Sequence, residues 1–285
     1  MNTLSNEFLT LHAKPEGAEL CSIQTSDGTE HLWQADPAIW SQHAPILFPI
    51  IGKLKNDQYT HNGKTYTLSK HGFARNMSFT LLEQTENKLI YQLLATNETK
   101  AAYPFDFELR VIYRLKDTNI TVEYEVRNHG QDAMPFSIGA HPGFNLPGKL
   151  EEYFLTFEKE ETRTARLLGD DELLSSEEIR ITESSDCIPI TQTLFDRDAL
   201  ILLDVNFEKL TIASRKSDTR ITVDFSGFPQ LGVWAKPGAP YVCIEPWFGY
   251  ADPIEPYGEI SNKPGIQTLP PGEIFRCTHR ITIST

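Results

Sequence analysis

Phe107-Glu108-Leu109-Arg110-Val111-Ile112-Tyr113-Arg114-Leu115, then Lys116-Asp117-Thr118, then Asn119-Ile120-Thr121-Val122-Glu123-Tyr124-Glu125-Val126 decides the fold class. Apolar and polar residues alternate with period two on both sides of a short polar link, the pattern of two half-buried strands joined as a hairpin. Working outward, Lys88-Leu89-Ile90-Tyr91-Gln92-Leu93-Leu94 alternates in the same way. Leu210-Thr211-Ile212-Ala213-Ser214 and Arg220-Ile221-Thr222-Val223-Asp224-Phe225 repeat the hairpin across Lys216-Ser217-Asp218-Thr219, and Arg280-Ile281-Thr282-Ile283 supplies a last strand. Helical signals are few. Pro37-Ala38-Ile39-Trp40 after Asp36 reads as a short helical turn, and Asn97-Glu98-Thr99-Lys100-Ala101-Ala102-Tyr103 as one helix stopped by Pro104. The expectation is an all-β protein, a large antiparallel β-sandwich over residues 1–285 as one domain, with neither repeats nor a Ser/Gly-rich linker.

Composition narrows the partners. A formal net charge of −13, from 39 acidic against 26 basic residues, disfavours nucleic acid and anionic membranes, which require a clustered cationic face. The first residues carry no basic and apolar leader pattern, and no run approaches membrane-spanning length, so a soluble cytoplasmic protein is expected. Cys21, Cys187, Cys243 and Cys277 are scattered without a Cys-x-x-Cys pair and read as reduced, mostly buried thiols. His-x-x-x-His and His-Glu-x-x-His are absent, so no metal site is signalled; Gly-x-Ser-x-Gly and both nucleotide-binding glycine patterns are absent too.

Three stretches set ionisable groups in apolar, Gly- and Pro-rich surroundings: His71-Gly72-Phe73-Ala74-Arg75-Asn76, Gly139-Ala140-His141-Pro142-Gly143-Phe144, and Val242-Cys243-Ile244-Glu245-Pro246-Trp247. Glu245 reads as leaving a strand end against an indole, desolvated enough to be a stronger base than a surface carboxylate, or else as a salt-bridged strand-end residue. His141 is either a proton donor and acceptor near neutrality or a turn histidine bonded to backbone. His71 and Arg75, four apart, suit an oxygen-rich ligand, although Arg75 serves equally as an ion-pair partner. Phe73, Phe144, Trp234 and Trp247 are candidate faces for the C–H side of a sugar ring, with core packing as the alternative for each. His12, His31, His61, His129 and His279 read as surface or hydrogen-bonded structural groups. His43 stands apart because it leads into the apolar Ile46–Ile51 run.

In this order the three stretches resemble the aldose 1-epimerase (mutarotase) superfamily, and more closely its LacX-like branch, over essentially the whole chain as far as Leu269-Pro270-Pro271-Gly272-Glu273. The resemblance implies a supersandwich fold, a small-molecule sugar as partner, no cofactor, and a monomer or homodimer. It implies Glu245 as the base at the anomeric hydroxyl, His141 as the acid at the ring oxygen, His71 positioning the sugar and Arg75 touching it. Where galactose mutarotases carry Asn-Arg, this sequence has Pro49-Ile50-Ile51-Gly52-Lys53, which offers Lys53 in place of the arginine and counts against free galactose. A phosphorylated sugar would have Arg75, Lys53 and Lys70 to bind it. Asp196, Asp198 and Asp204 are the candidates for an aspartate that assists at the sugar hydroxyls. The implied reaction is interconversion of the α and β anomers of an aldose or aldose phosphate. Two alternatives remain on the sequence: a non-catalytic sugar-binding or sugar-sensing protein on the same fold, and, with less support in so acidic a chain, a polysaccharide-lyase-like activity.

Overall fold

The computed structural model describes residues 1–284. Phe107–Lys116 and Asn119–Asn128 pair antiparallel with Lys116 opposite Asn119, so the link is a two-residue turn whose Asp117 takes a left-handed φ of 50°. Lys88–Leu94 and Thr80–Gln84 extend the sheet on one side, and Ile274–Ser284, Arg220–Asp224 and Lys209–Ser214 on the other. The last strand is longer than the four residues read from sequence, because it pairs with Asn119–Asn128 along one edge and Arg220–Asp224 along the other.

Tyr153–Leu168 connects the two halves of the sandwich. Its first residues pair with Lys209–Ser214, and Arg166, near its far end, pairs with Ile201 of Leu200–Leu203. The order then runs through Gln230–Trp234, Tyr241–Phe248, Ile138–Ala140 and Ile46–Leu47. A separate three-stranded sheet, Asn2–Ser5, Leu9–Ala13 and Leu20–Thr25, packs on the same core. All the strand pairs in these sheets are antiparallel, and their inward faces form one large apolar cluster, as the alternation requires.

The strand beside Tyr241–Phe248 is split. Gly139 lies opposite Trp247 and Ile138 opposite Phe248; four residues after Gly139, Gly143 lies opposite Cys243 and Phe144 opposite Val242. Both halves keep one register, so the interruption at His141-Pro142 faces Ile244-Glu245-Pro246 and puts residue 141 across from residue 245. Pro246, which has no N–H to donate, falls where the neighbouring strand has no ladder.

The helix Asn97–Ala102 forms where the sequence placed it, closed by a capping box between Thr96 and Thr99. Pro37–Ile39 forms only a hydrogen-bonded turn, Ile39 N–H to Asp36 O, and not a helix, since one bond does not propagate a helical ladder. The four cysteines are free, with Cys187 partly exposed and the others buried. No helix among the described residues is long and apolar enough to cross a membrane.

Candidate active site

Glu245 sits in the middle of Tyr241–Phe248 and is 1% exposed, which corrects the strand-end expectation: the strand runs on through Pro246 because its other edge pairs continuously with Gln230–Trp234. Tyr241, Cys243, Glu245 and Trp247 share one face by the period of two. Gly232 lies opposite Glu245 and Gly139 opposite Trp247, and each leaves room for the indole. A Cβ at Gly232 would fall 2.5 Å from Trp247 Cη2 and Cζ2, and one at Gly139 would fall 2.6 Å from its Cδ1.

The split strand delivers His141 to the same place. His141 Nε2 is 3.3 Å from Glu245 Oε2, with the imidazole 8% and the glutamate 1% exposed. Trp40 lies 5.0 Å from the His141 ring and Trp234 stands edge-on at 5.5 Å. Burial pushes the Glu245 carboxyl well above the usual carboxylate range, and the charge of Asp198 adds to this against the pull of Lys70. Burial also pulls His141 down to about 3; its own backbone opposes this, and the Arg75 and Lys70 charges reinforce it. Burial thus disfavours the charged form of each group, the carboxylate and the imidazolium alike.

His71 is held in the left-handed region at φ 66°, followed by Gly72 at φ 71°, where a Cβ would fall 2.3 Å from Phe48 O. That carbonyl accepts from the N–H groups of Phe73 and Ala74, so the loop is pinned to Phe48. Phe48 is itself fully buried among Phe73, Tyr103, Phe107 and Phe136, an anchor worth about 2–3 kcal/mol. The Gly52 N–H donates to His71 Nδ1 at 3.1 Å. Burial, with His141 and nearby cations adding, lowers the His71 pKa well below its ordinary value, so the ring is neutral and its remaining N–H is on Nε2. Arg75 Nη2 donates to Lys70 O at 2.8 Å and Nη1 to Gln42 Oε1 at 3.3 Å, which fixes the guanidinium.

These groups line a cavity of about 240 Å³ with Trp40, Trp234 and Trp247 as aromatic walls. Of the three aspartates only Asp198 reaches it, from a residue with φ 69° just before Leu200–Leu203. Lys70 lines it; Lys53 does not, and both lysines bridge Glu172, at 2.5 and 3.4 Å respectively. Phe144 is corrected as a sugar-facing candidate: it is fully buried in the main core, because it falls on the opposite face of its strand from Gly143, which abuts Trp40. His43 is half-buried outside the cavity, its Nδ1 2.8 Å from Trp33 O. His279 is neither on the surface nor hydrogen-bonded through Nδ1; it is buried against Tyr124 and Phe228.

Sequence reasoning missed Trp40, Gln42 and Glu172. Trp40 was legible only as part of a turn, and the other two come from segments whose approach to the cleft depends on tertiary structure. It also missed that His141, Cys243 and Glu245 place their ligating atoms within 4.8 Å of one another, since strand pairing rather than a spacing motif assembles them.

The family model described as Aldose 1-epimerase matches residues 1–282. The chain belongs to the aldose 1-epimerase family. Within that family it is 36% identical over 293 residues to the plasmid form of protein LacX from Lactococcus lactis subsp. lactis, with 98% of each chain covered. A galactose mutarotase related enzyme from Lactobacillus acidophilus superposes with a TM-score of 0.93 at 34% identity, covering 100% of this chain and 97% of that one. A galactose mutarotase-like protein from Lactobacillus casei gives 0.94 at 33% identity, covering 100% of both. The supersandwich expectation is therefore met along the whole chain.

Proposed function

We propose that the protein is an aldose 1-epimerase that opens and recloses a pyranose between Glu245 and His141. The observation that carries this reading is the 3.3 Å approach of His141 Nε2 to Glu245 Oε2 on the floor of an aromatic-walled cavity. The two oxygens that must exchange protons with the protein, O1 and O5, are bonded to one carbon, so their partners have to be close neighbours. Acid and base groups placed far apart would not serve one hemiacetal.

The resting pair has its proton on Glu245, and transfer across the short gap gives carboxylate and imidazolium. Glu245 takes the O1 proton as His141 protonates O5, and the O5–C1 bond breaks to leave an aldehyde. Rotation about C1–C2 turns the other carbonyl face toward the hydroxyl. Ring closure then returns both protons by the reverse transfers. His71, as an Nε2–H donor, and the fixed Arg75 guanidinium hold sugar oxygens; Asp198 accepts from hydroxyls; Trp234 and Trp247 pack on the C–H faces. Glu172 occupies Lys53 and Lys70, which leaves Arg75 as the cleft cation without a carboxylate partner and favours an unphosphorylated aldose.

The test is anomer exchange measured by NMR across free and 6-phosphorylated aldoses, wild type against Glu245→Gln. The reading requires acceleration that falls by about 10²–10⁴-fold in the variant. Binding without acceleration for every sugar would instead make the protein a sugar sensor.

A further inference from the structure

We propose that the cleft floor is also a site for a thiophilic divalent cation, zinc above all, held by a ring nitrogen of His141, Sγ of Cys243 and a carboxylate oxygen of Glu245. Cys243 and Glu245 are two residues apart on one strand and point to the same face, and the split strand places His141 across from Glu245. All three side chains are buried, and their donor atoms lie within 4.8 Å of one another. A tetrahedral zinc site, with bonds of about 2.0–2.3 Å, needs donors about 3.3–3.8 Å apart, so the widest pair must close by about 1 Å.

Chemistry and charge favour this ion. One nitrogen, one sulfur and one oxygen suit zinc and not magnesium or calcium, which take oxygen ligands. With the Cys243 thiol proton and the Glu245 carboxyl proton both released to solvent, thiolate and carboxylate together cancel the 2+ charge, so the buried complex is neutral overall. Glu245 Oε2 has no hydrogen-bond partner among the described residues and is free to accept a metal. His141 and Glu245 line the cavity and Cys243 lies behind them in the core, so a water from the cavity side completes the set. His141 Nδ1 likewise has no protein partner to brace the ring, which limits affinity and makes this a reversible site rather than that of a resident cofactor. A bound ion would occupy the lone pairs used in proton transfer, so zinc would inhibit competitively with sugar. The inhibition rests on the epimerase reading; the binding does not.

The experiment uses the full chain without a histidine tag, treated with chelator and titrated with Co²⁺ by absorption, then with Zn²⁺ against a chromophoric chelator. The proposal requires one equivalent bound, a thiolate-to-cobalt charge-transfer band that is absent in Cys243→Ser and retained in Cys187→Ser, and zinc affinity at least about 100-fold weaker in Cys243→Ser. If Cys243→Ser does not fold, His141→Asn takes its place, and the same loss of zinc affinity is required. No binding, or a band that survives Cys243→Ser, overturns the proposal. Metal binding in a protein that accelerates no aldose would refute the epimerase reading and leave the metal site standing. Sugar turnover without metal binding would do the reverse.

Discussion

Replacing Gly232 by alanine tests how the floor of the proposed active site is built. The new Cβ would sit 2.5 Å from two carbons of the Trp247 ring, inside the 3.4 Å at which ordinary contact begins. The indole is also close-packed on its other edge, where a Cβ at Gly139 would fall 2.6 Å from Trp247 Cδ1, so moving away from position 232 brings it against the Gly139 backbone. Relief requires a shift of about 1 Å, and a misplacement of that size at a reacting centre costs about 100-fold in rate. Overpacking adds a stability loss of about 1–3 kcal/mol, visible as a lower melting temperature. Anomer exchange by NMR and thermal unfolding by circular dichroism read the two effects. Trp247→Leu in the same chain makes room for the methyl group, so the double variant should be more stable than the sum of the single changes allows, and that coupling is the specific signature. A Gly232→Ala protein with wild-type rate and melting temperature would refute the account of how Trp247 is held.

Three further outcomes are expected. Glu172→Gln should release Lys70, the lysine that lines the cavity, and lower KM for 6-phosphorylated aldoses several-fold with little change for free ones; an unchanged ratio would show that Lys70 does not face the substrate. Lys263→Met strips Asp252 of its buried 2.8 Å ion-pair partner and should cost about 3–5 kcal/mol in denaturant unfolding, moderated by the Tyr257 hydroxyl and Lys55 N–H that also reach that carboxylate. Burial alone would raise the Glu108 pKa, but hydrogen bonds from His129, Gln92 and Arg110 outweigh it and hold the carboxyl at about 2. A depressed carboxylate pKa stabilises the fold above the unfolded value near 4.5, and the benefit disappears as pH falls toward 2. The wild type should therefore exceed Glu108→Gln by about 3 kcal/mol at pH 6 and lose that margin in acid, as melting curves across pH would show.

The sequence revealed most where one face of a strand meets water. Lys88–Leu94 and the hairpin around Asp117 were legible because alternation survives when only one side is buried. Tyr241–Phe248 hid its length because seven of its eight residues are buried, so period two vanishes and Pro246 looks like a stop. Motif reading found His71, Arg75, His141 and Glu245, all of which reach one cavity, together with Trp234 and Trp247. It misplaced Phe144, since an aromatic beside a motif gives no sign of which way its strand faces. It left three aspartates undecided, since only tertiary packing brings Asp198 to the cleft while the others stay outside it.

The shared register of the two half-strands on either side of His141 means that the spacing of the proposed acid and base follows from strand pairing that clamps both ends of the two-residue interruption carrying the imidazole. The groups proposed to distinguish one sugar from another, Lys70 to Arg75, Glu172, Asp198 and Trp40, all lie in connections between strands. Reaction and recognition are thus carried by separable parts of the chain. The hairpin tip at residues 169–173 and the segment before Leu200 can be exchanged for those of a relative without disturbing the distance between imidazole and carboxylate, which makes them the places to graft a new sugar preference onto an unchanged ring-opening centre.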